Sequence, residues 1–170
     1  TELSNLSFNK ENLKHLSKTN ENWLERYVVG IDRGVAIPIQ VGNKSHDFTD
    51  EQKSNKDKHQ RYIKRLQRKL AKKTKGSSRH KRLKKSIVRR HEQVANIRKD
   101  FCHQASRKII NDKNNKVIVV ESLGTKNMTR KPKPKPNESG GWDKNNAKAK
   151  AGLNRSILDK GWHQFEIFLA

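Results

Sequence analysis

Two acids in this sequence each close a short apolar, β-branched run. Asp32 ends Tyr27-Val28-Val29-Gly30-Ile31-Asp32, and Glu121 ends Lys116-Val117-Ile118-Val119-Val120-Glu121. Runs of this type predict strands, so both carboxylates are expected at strand ends. A carboxylate there has two readings: it terminates the strand, or it offers hard oxygen to a divalent cation. Phosphodiester hydrolysis needs an activated water and a stabilised leaving alkoxide. Two Mg²⁺ ions about 3.5–4 Å apart supply both when carboxylates hold them. Taken alone, either acid fits the terminator reading as well as the ligand reading.

A second chemistry lies in the charge. The formal net charge is +23, and residues 53–90 carry 18 Lys or Arg against one acid, Asp57. A solvated helix face normally mixes both signs, so a segment this one-sided reads as a polyanion-binding surface. The candidate phosphate ligands are Arg61, Lys64, Arg65, Arg68, Lys69, Lys72, Lys73, Arg79, Lys81, Arg82, Lys84, Lys85, Arg89 and Arg90. Tyr62 is the one Phe, Trp or Tyr in the segment, which argues against base stacking on single strands. Phosphate tracking on a duplex or heteroduplex fits better. The charge supports one of two competing readings, a non-catalytic basic module that binds DNA or RNA; the other is a nuclease built on the two acids.

Other chemistries find little support. Cys102 is the single cysteine, which excludes an intrachain disulfide and a cysteine zinc site, and a reducing compartment fits. It follows core-facing Phe101 with no visible base, so a catalytic thiol is not expected. His80, His91 and His103 have no acid or cysteine at fixed ligand spacing. No apolar run is long enough to span a bilayer, and no Trp/Phe/Leu-rich face backs the cations for a membrane surface.

The elements that must position these residues follow from pattern. Leu, Ile, Val and Phe number 37 of 170 residues, enough for one small domain. Residues 1–26 are polar and expected to be poorly ordered, with Lys10–Leu16 weakly helical at best. Strands are predicted over 27–32, 35–41 and 45–48 as an antiparallel meander, with Pro38 at an edge or bulge. Thr49 or Asp50 caps a basic helix to about Lys73, with Ile63, Leu66 and Leu70 on one face. After Lys75-Gly76-Ser77-Ser78, a second helix runs to about Asn111. Leu83, Ile87, Val94, Ile97, Phe101, Ala105 and Ile109 hold its apolar face, and the two helices form a hairpin. The continuous apolar run of 117–120 predicts an interior strand buried on both faces. Lys131–Pro136 should be extended and solvated, residues 137–150 mobile, and a last apolar helix should begin at Asn154. Trp162 belongs to that helix's core face, and Trp142 is expected to be exposed.

Four stretches, in this order, resemble the OrfB/TnpB proteins of bacterial insertion sequences: VVGIDRGVAIPI, LQRKLAKKTKGSSRHKRLKKSIVRRHEQVANIRKDFCHQASRKII, KVIVVESLGTKNM and LNRSILDKGWHQFEIFLA. The resemblance spans residues 27–170. It implies an α/β, RNase H-like (RuvC) domain whose mixed sheet carries the basic hairpin, residues 53–110, between the third strand and the Glu-bearing strand. It also implies a transposase-associated, RNA-guided DNA endonuclease that uses Mg²⁺ or Mn²⁺, with DNA and a guide-type RNA as partners, in the bacterial cytoplasm at the nucleoid. Asp32 and Glu121 match the family's first and second catalytic, metal-binding acids.

Departures from the family pattern set further expectations. The family's third acid follows a four-cysteine zinc ribbon, and this sequence ends at Ala170 with one cysteine. No zinc is therefore expected, and Asp143, Asp159 and Glu166 lack a matching context. Arg33 stands where the family has an apolar residue; it either competes with metal for Asp32 or points to the other face of the strand. The N-terminal region that helps the family hold RNA is largely absent, leaving residues 1–26 as a remnant. The expectation is a truncated copy whose isolated chain does not cut DNA. Its RuvC-like domain, residues 27–170, would be incomplete, with a flexible linker at 129–153 and a C-terminal helix exposed enough to drive self-association.

Overall fold

The computed structural model describes Lys14, Lys18 and residues 21–170. The expected weak helix at 10–16 falls, apart from Lys14, outside the described residues. α1 covers Glu21–Tyr27, where Trp23 packs on Tyr27 with ring centroids 5.4 Å apart.

A four-stranded mixed sheet follows, in the order β3-β2-β1-β4. Its strands are β1 (Val28–Asp32), β2 (Ile39–Val41), β3 (Lys44–His46) and β4 (Val117–Val120). β1, β2 and β3 form the antiparallel meander, and β1 pairs in parallel with β4. The second strand is shorter than the pattern predicts. Residues 33–38 fold into a turn in which the Gly34 amide donates to the Ile37 carbonyl at 3.1 Å. A Cβ at Gly34 would lie 2.8 Å from that oxygen, so glycine is required. Pro38 cannot donate to a ladder, and the strand begins one residue later.

Between β3 and β4 the chain makes the helical hairpin, α2 (Asp50–Ala71) and α3 (Ser78–Ile110). Thr49 caps α2 in a reciprocal capping box with Gln52. Gly76 takes φ +86° in the turn, and the Ser77 side chain caps α3 through the His80 amide. α3 serves two cores. Its C-terminal half sends Phe101, Cys102, Ala105 and Ile109 against Ile31, Ile39, Val41 and Phe48. Its N-terminal half sends Ile87 and Val94 against Ile63 and Leu66 of α2.

The remaining elements are α4 (Thr125–Met128), a short ladder of β5 (Lys135–Pro136) with β6 (Trp142–Asp143), α5 (Ala147–Leu158) and α6 (Trp162–Leu169). The single helix expected from Asn154 is therefore two. Gly161, at φ +74°, breaks it where a Cβ would lie 3.0 Å from Cys102 Sγ. The break turns Trp162 and Phe165 inward. The Trp162 indole N–H donates to the buried Pro38 carbonyl at 3.2 Å. Leu158 and Ile167 stay exposed, as does Trp142.

β4 corrects a second expectation. It is the outermost strand of the described sheet, and Val119 is 47 % exposed. Alternation puts Val117 and Val119 on the face away from α3 and α6; Val117 is buried there and Val119 is not, so the run is covered along only part of its length.

Two predictions test this packing. Phe101 stacks on Phe48 with centroids 4.1 Å apart, so Phe101→Ala should cost about 3–5 kcal/mol in denaturant unfolding. Burial holds His46 and His59 below the usual imidazole range, aided by Lys108 and Lys44 at the first and by Arg90 and Lys58 at the second. The unfolded chain therefore takes up these protons first, and stability falls as pH drops through about 6.5. Thermal melting should be lower at pH 5.5 than at pH 7.5, and His46→Gln with His59→Gln should narrow the gap.

Candidate functional site

The two acids meet through strand register. Ile31 pairs with Val120 in the parallel ladder, so the next position sets Asp32 beside Glu121. Alternation assigns the faces: Val29, Ile31, Ile118 and Val120 pack on the core, while Gly30, Asp32, Val119 and Glu121 face away. Both acids are exposed. They line one shallow depression of about 470 Å³, with Gly30, Val119 and, from β2, Gln40.

Arg33 points to the other face, which removes it as a competitor for metal at Asp32. Its side chain is buried, and its guanidinium donates to the Glu166 carboxylate of α6 and to the main-chain carbonyl of Glu121. One buried cation thus ties the residue after the first acid to the backbone of the second.

No third acid joins the pair among the described residues. Among the described residues, no three His, Cys, Asp or Glu side chains gather as a metal-holding group. Glu166 is engaged by Arg33. Asp159 accepts from Lys56 at 2.6 Å and lies 3.8 Å from Arg98. Asp143 sits on exposed β6. His80, His91 and His103 also stay apart as ligands, and His103 meets the edge of the Phe168 ring.

The fourteen predicted phosphate ligands lie on α2, α3 and the turn between them. Thirteen are exposed, and Arg90 is half-buried. None of them is ion-paired among the described residues. Lys56, in the same basic run, behaves differently. It falls seven residues before Ile63 on the apolar stripe, and its ammonium is buried 3.8 Å from the Phe48 ring centroid.

Comparison with known proteins decides the family. The OrfB_IS605 family model, described as "Probable transposase", matches residues 13–131. The chain belongs to the OrfB/TnpB family of insertion-sequence proteins. Over 143 residues, 84% of this chain and 33% of the relative, it is 36% identical to a protein of Escherichia coli strain K12 named "Putative RNA-guided DNA endonuclease InsQ". It is 27% identical over 143 residues to a "Putative RNA-guided DNA endonuclease" of Streptomyces pristinaespiralis, covering 83% of this chain and 29% of that protein. The chain therefore spans about a third of the length of these OrfB/TnpB relatives. No helix among the described residues is long and apolar enough to cross a membrane.

Sequence reasoning singled out Arg33 for its position and left its direction open. The strand alternation that sends Ile31 inward also sends Arg33 inward, and that was the available signal. Cys102 is fully buried, and burial pushes its thiol up to about 11. At pH 8 the native protein should resist a thiol-reactive disulfide reagent and react fully in denaturant; fast native labelling would contradict the packing of α3 on α6.

Proposed function

We propose that this OrfB/TnpB chain carries two parts of an RNA-guided DNA endonuclease: the Asp32–Glu121 half of a RuvC-like, RNase H-like metal centre, and a basic hairpin that holds the polynucleotide. The observation that carries the reading is the β1–β4 register, which sets the two acids side by side on the open face of the sheet. The relatives' names supply the reaction class, hydrolysis of DNA directed by a guide-type RNA.

The donor set suits a hard divalent cation. Two exposed carboxylates leave room for the several waters that Mg²⁺ or Mn²⁺ retains, and no Cys, Met or His is among the described residues that line the depression. Asp32 and Glu121 would hold the ion, which supplies Lewis-acid stabilisation and a more acidic bound water. The chain's own contribution is placement. The ladder aligns the two carboxylates, Arg33 fixes the Glu121 backbone, and Gly30 and Gln40 leave the approach open. With two protein carboxylates, affinity should be weak. Mn²⁺ titration followed by electron paramagnetic resonance should show binding that Asp32→Asn or Glu121→Gln abolishes without changing the melting temperature. Binding indifferent to both substitutions would overturn the metal reading.

A second reading, a non-catalytic DNA- or RNA-binding module, is favoured by the unpaired cations of the hairpin and the lack of a third acid among the described residues. The two readings separate on metal, because polynucleotide binding with no Mn²⁺ held by Asp32 and Glu121 supports the module. Both require phosphate contacts, so log affinity should fall with log salt by about 0.9 per duplex contact. Replacing Arg68, Lys69, Lys72 and Lys73 with Gln should lower that slope by up to about four and weaken all sequences alike. A slope unchanged by this variant would make the charge a solvated face.

A further inference from the structure

The hairpin's cations are not equivalent, and the difference centres on Tyr62. The ring is 37 % exposed. The Arg65 guanidinium carbon lies 4.4 Å from its centroid and that of Arg90 lies 4.7 Å away. Arg65 comes from α2 and Arg90 from α3, so one ring gathers cations from both helices. Tyr62 also separates two hollows. On one side, Ser86, Arg89, Arg90 and Gln93 line about 290 Å³ between the helices. On the other, Lys58, Arg61 and Arg65 line about 370 Å³.

Arg90 is held before any ligand arrives. Its Nη1 donates to Gln93 Oε1 at 3.1 Å and stands 3.2 Å from His59 Nδ1. Burial first, then Arg90 and Lys58, depress the His59 imidazole, so at neutral pH the ring is uncharged and able to accept from the guanidinium. The remaining nitrogens of Arg90 make no hydrogen bond among the described residues. No carboxylate pairs with Arg61, Arg65, Arg89 or Arg90 there either. Fixed cations with unused donors and no counter-charge are preorganised for an anion, because little side-chain freedom remains to be lost on binding. The aromatic face that could stack a base already carries guanidinium groups, and that favours phosphate over base as the ligand.

We propose that Tyr62 is a platform, and that Arg90 with Arg89 on one side and Arg65 with Arg61 on the other seat phosphates of a polynucleotide backbone crossing the hairpin. This rests on the nucleic-acid reading above and adds a defined site to it. Tyr62 acts as a positioning residue, and the arginines are the ligands.

The test measures the full chain's affinity for duplex DNA and for an RNA hairpin, by fluorescence anisotropy from 50 to 200 mM salt. Tyr62→Ala removes no charge. It should nevertheless weaken both probes about tenfold, the order of one lost charge-assisted contact, and lower the salt slope by one to two. Tyr62→Phe should match wild type in both. Arg90→Lys keeps the charge but loses the planar fork, and should resemble Tyr62→Ala. It decides the matter if Tyr62→Ala loses its helical circular dichroism. Wild-type binding insensitive to salt would overturn the nucleic-acid reading itself. If wild type binds with a steep slope and the four-Gln variant weakens it, but Tyr62→Ala and Arg90→Lys bind like wild type, the Tyr62 seat alone is overturned.

Discussion

The structure depends on one pairing, the parallel ladder between β1 and β4. Residues 28–31 align with residues 117–120, and the Lys116 amide bonds the Tyr27 carbonyl at 2.9 Å at the start. Because side chains alternate along a strand, a slip of one residue would send Glu121 to the core face and Val120 to the open one. Register therefore places the acids as well as burying the apolar residues. Arg33 reinforces it from beneath, since the same guanidinium reaches the Glu121 carbonyl and the Glu166 carboxylate of α6.

Parallel strands cannot be joined by a tight turn, and here the connection is put to a second use. The 33 residues of α3 extend about 50 Å at 1.5 Å per residue. Only the C-terminal half packs on the sheet, and the other half needs α2 to bury Ile87 and Val94. The hairpin can thus carry a dense block of like charge on exposed faces while two narrow apolar seams hold it in place. Lys56 bridges these regions, with its ammonium on the Phe48 ring of the sheet core and its hydrogen bond to Asp159 just after α5.

Much of this was legible in sequence wherever one local rule decided. Thr49 or Asp50 marked the start of α2, where the fold uses Thr49, and Gly76-Ser77 marked the break before α3. The apolar series from Leu83 to Ile109 is the face that packs. The two acid-ended runs are the paired strands. The rest needed partners that local pattern does not contain. Val117–Val120 reads as an interior strand, yet burial depends on what lies beyond each face, and at the end of the sheet Val119 is left 47 % exposed. Gly161 sits inside an apolar pattern that continues across it, so the break depends on Cys102 packing beneath. Lys56 and Tyr62 read as one more cation and one stray aromatic. Only the fold brings Phe48 and Asp159 to the first, and Arg65 and Arg90 to the second.

Asp32 and Glu121 are register neighbours, and engineered crosslinking tests that placement directly. Adjacent strands lie about 4.8 Å apart, within the span a disulfide bridges. In a Cys102→Ser background, Asp32→Cys with Glu121→Cys should close rapidly under mild oxidation and lose both free thiols. Asp32→Cys with Val119→Cys, on the same face but one side-chain repeat away, should close slowly or not at all. Preferential closure of the Val119 pair, or failure of the Glu121 pair in a natively folded protein, would contradict the register on which the candidate site is built.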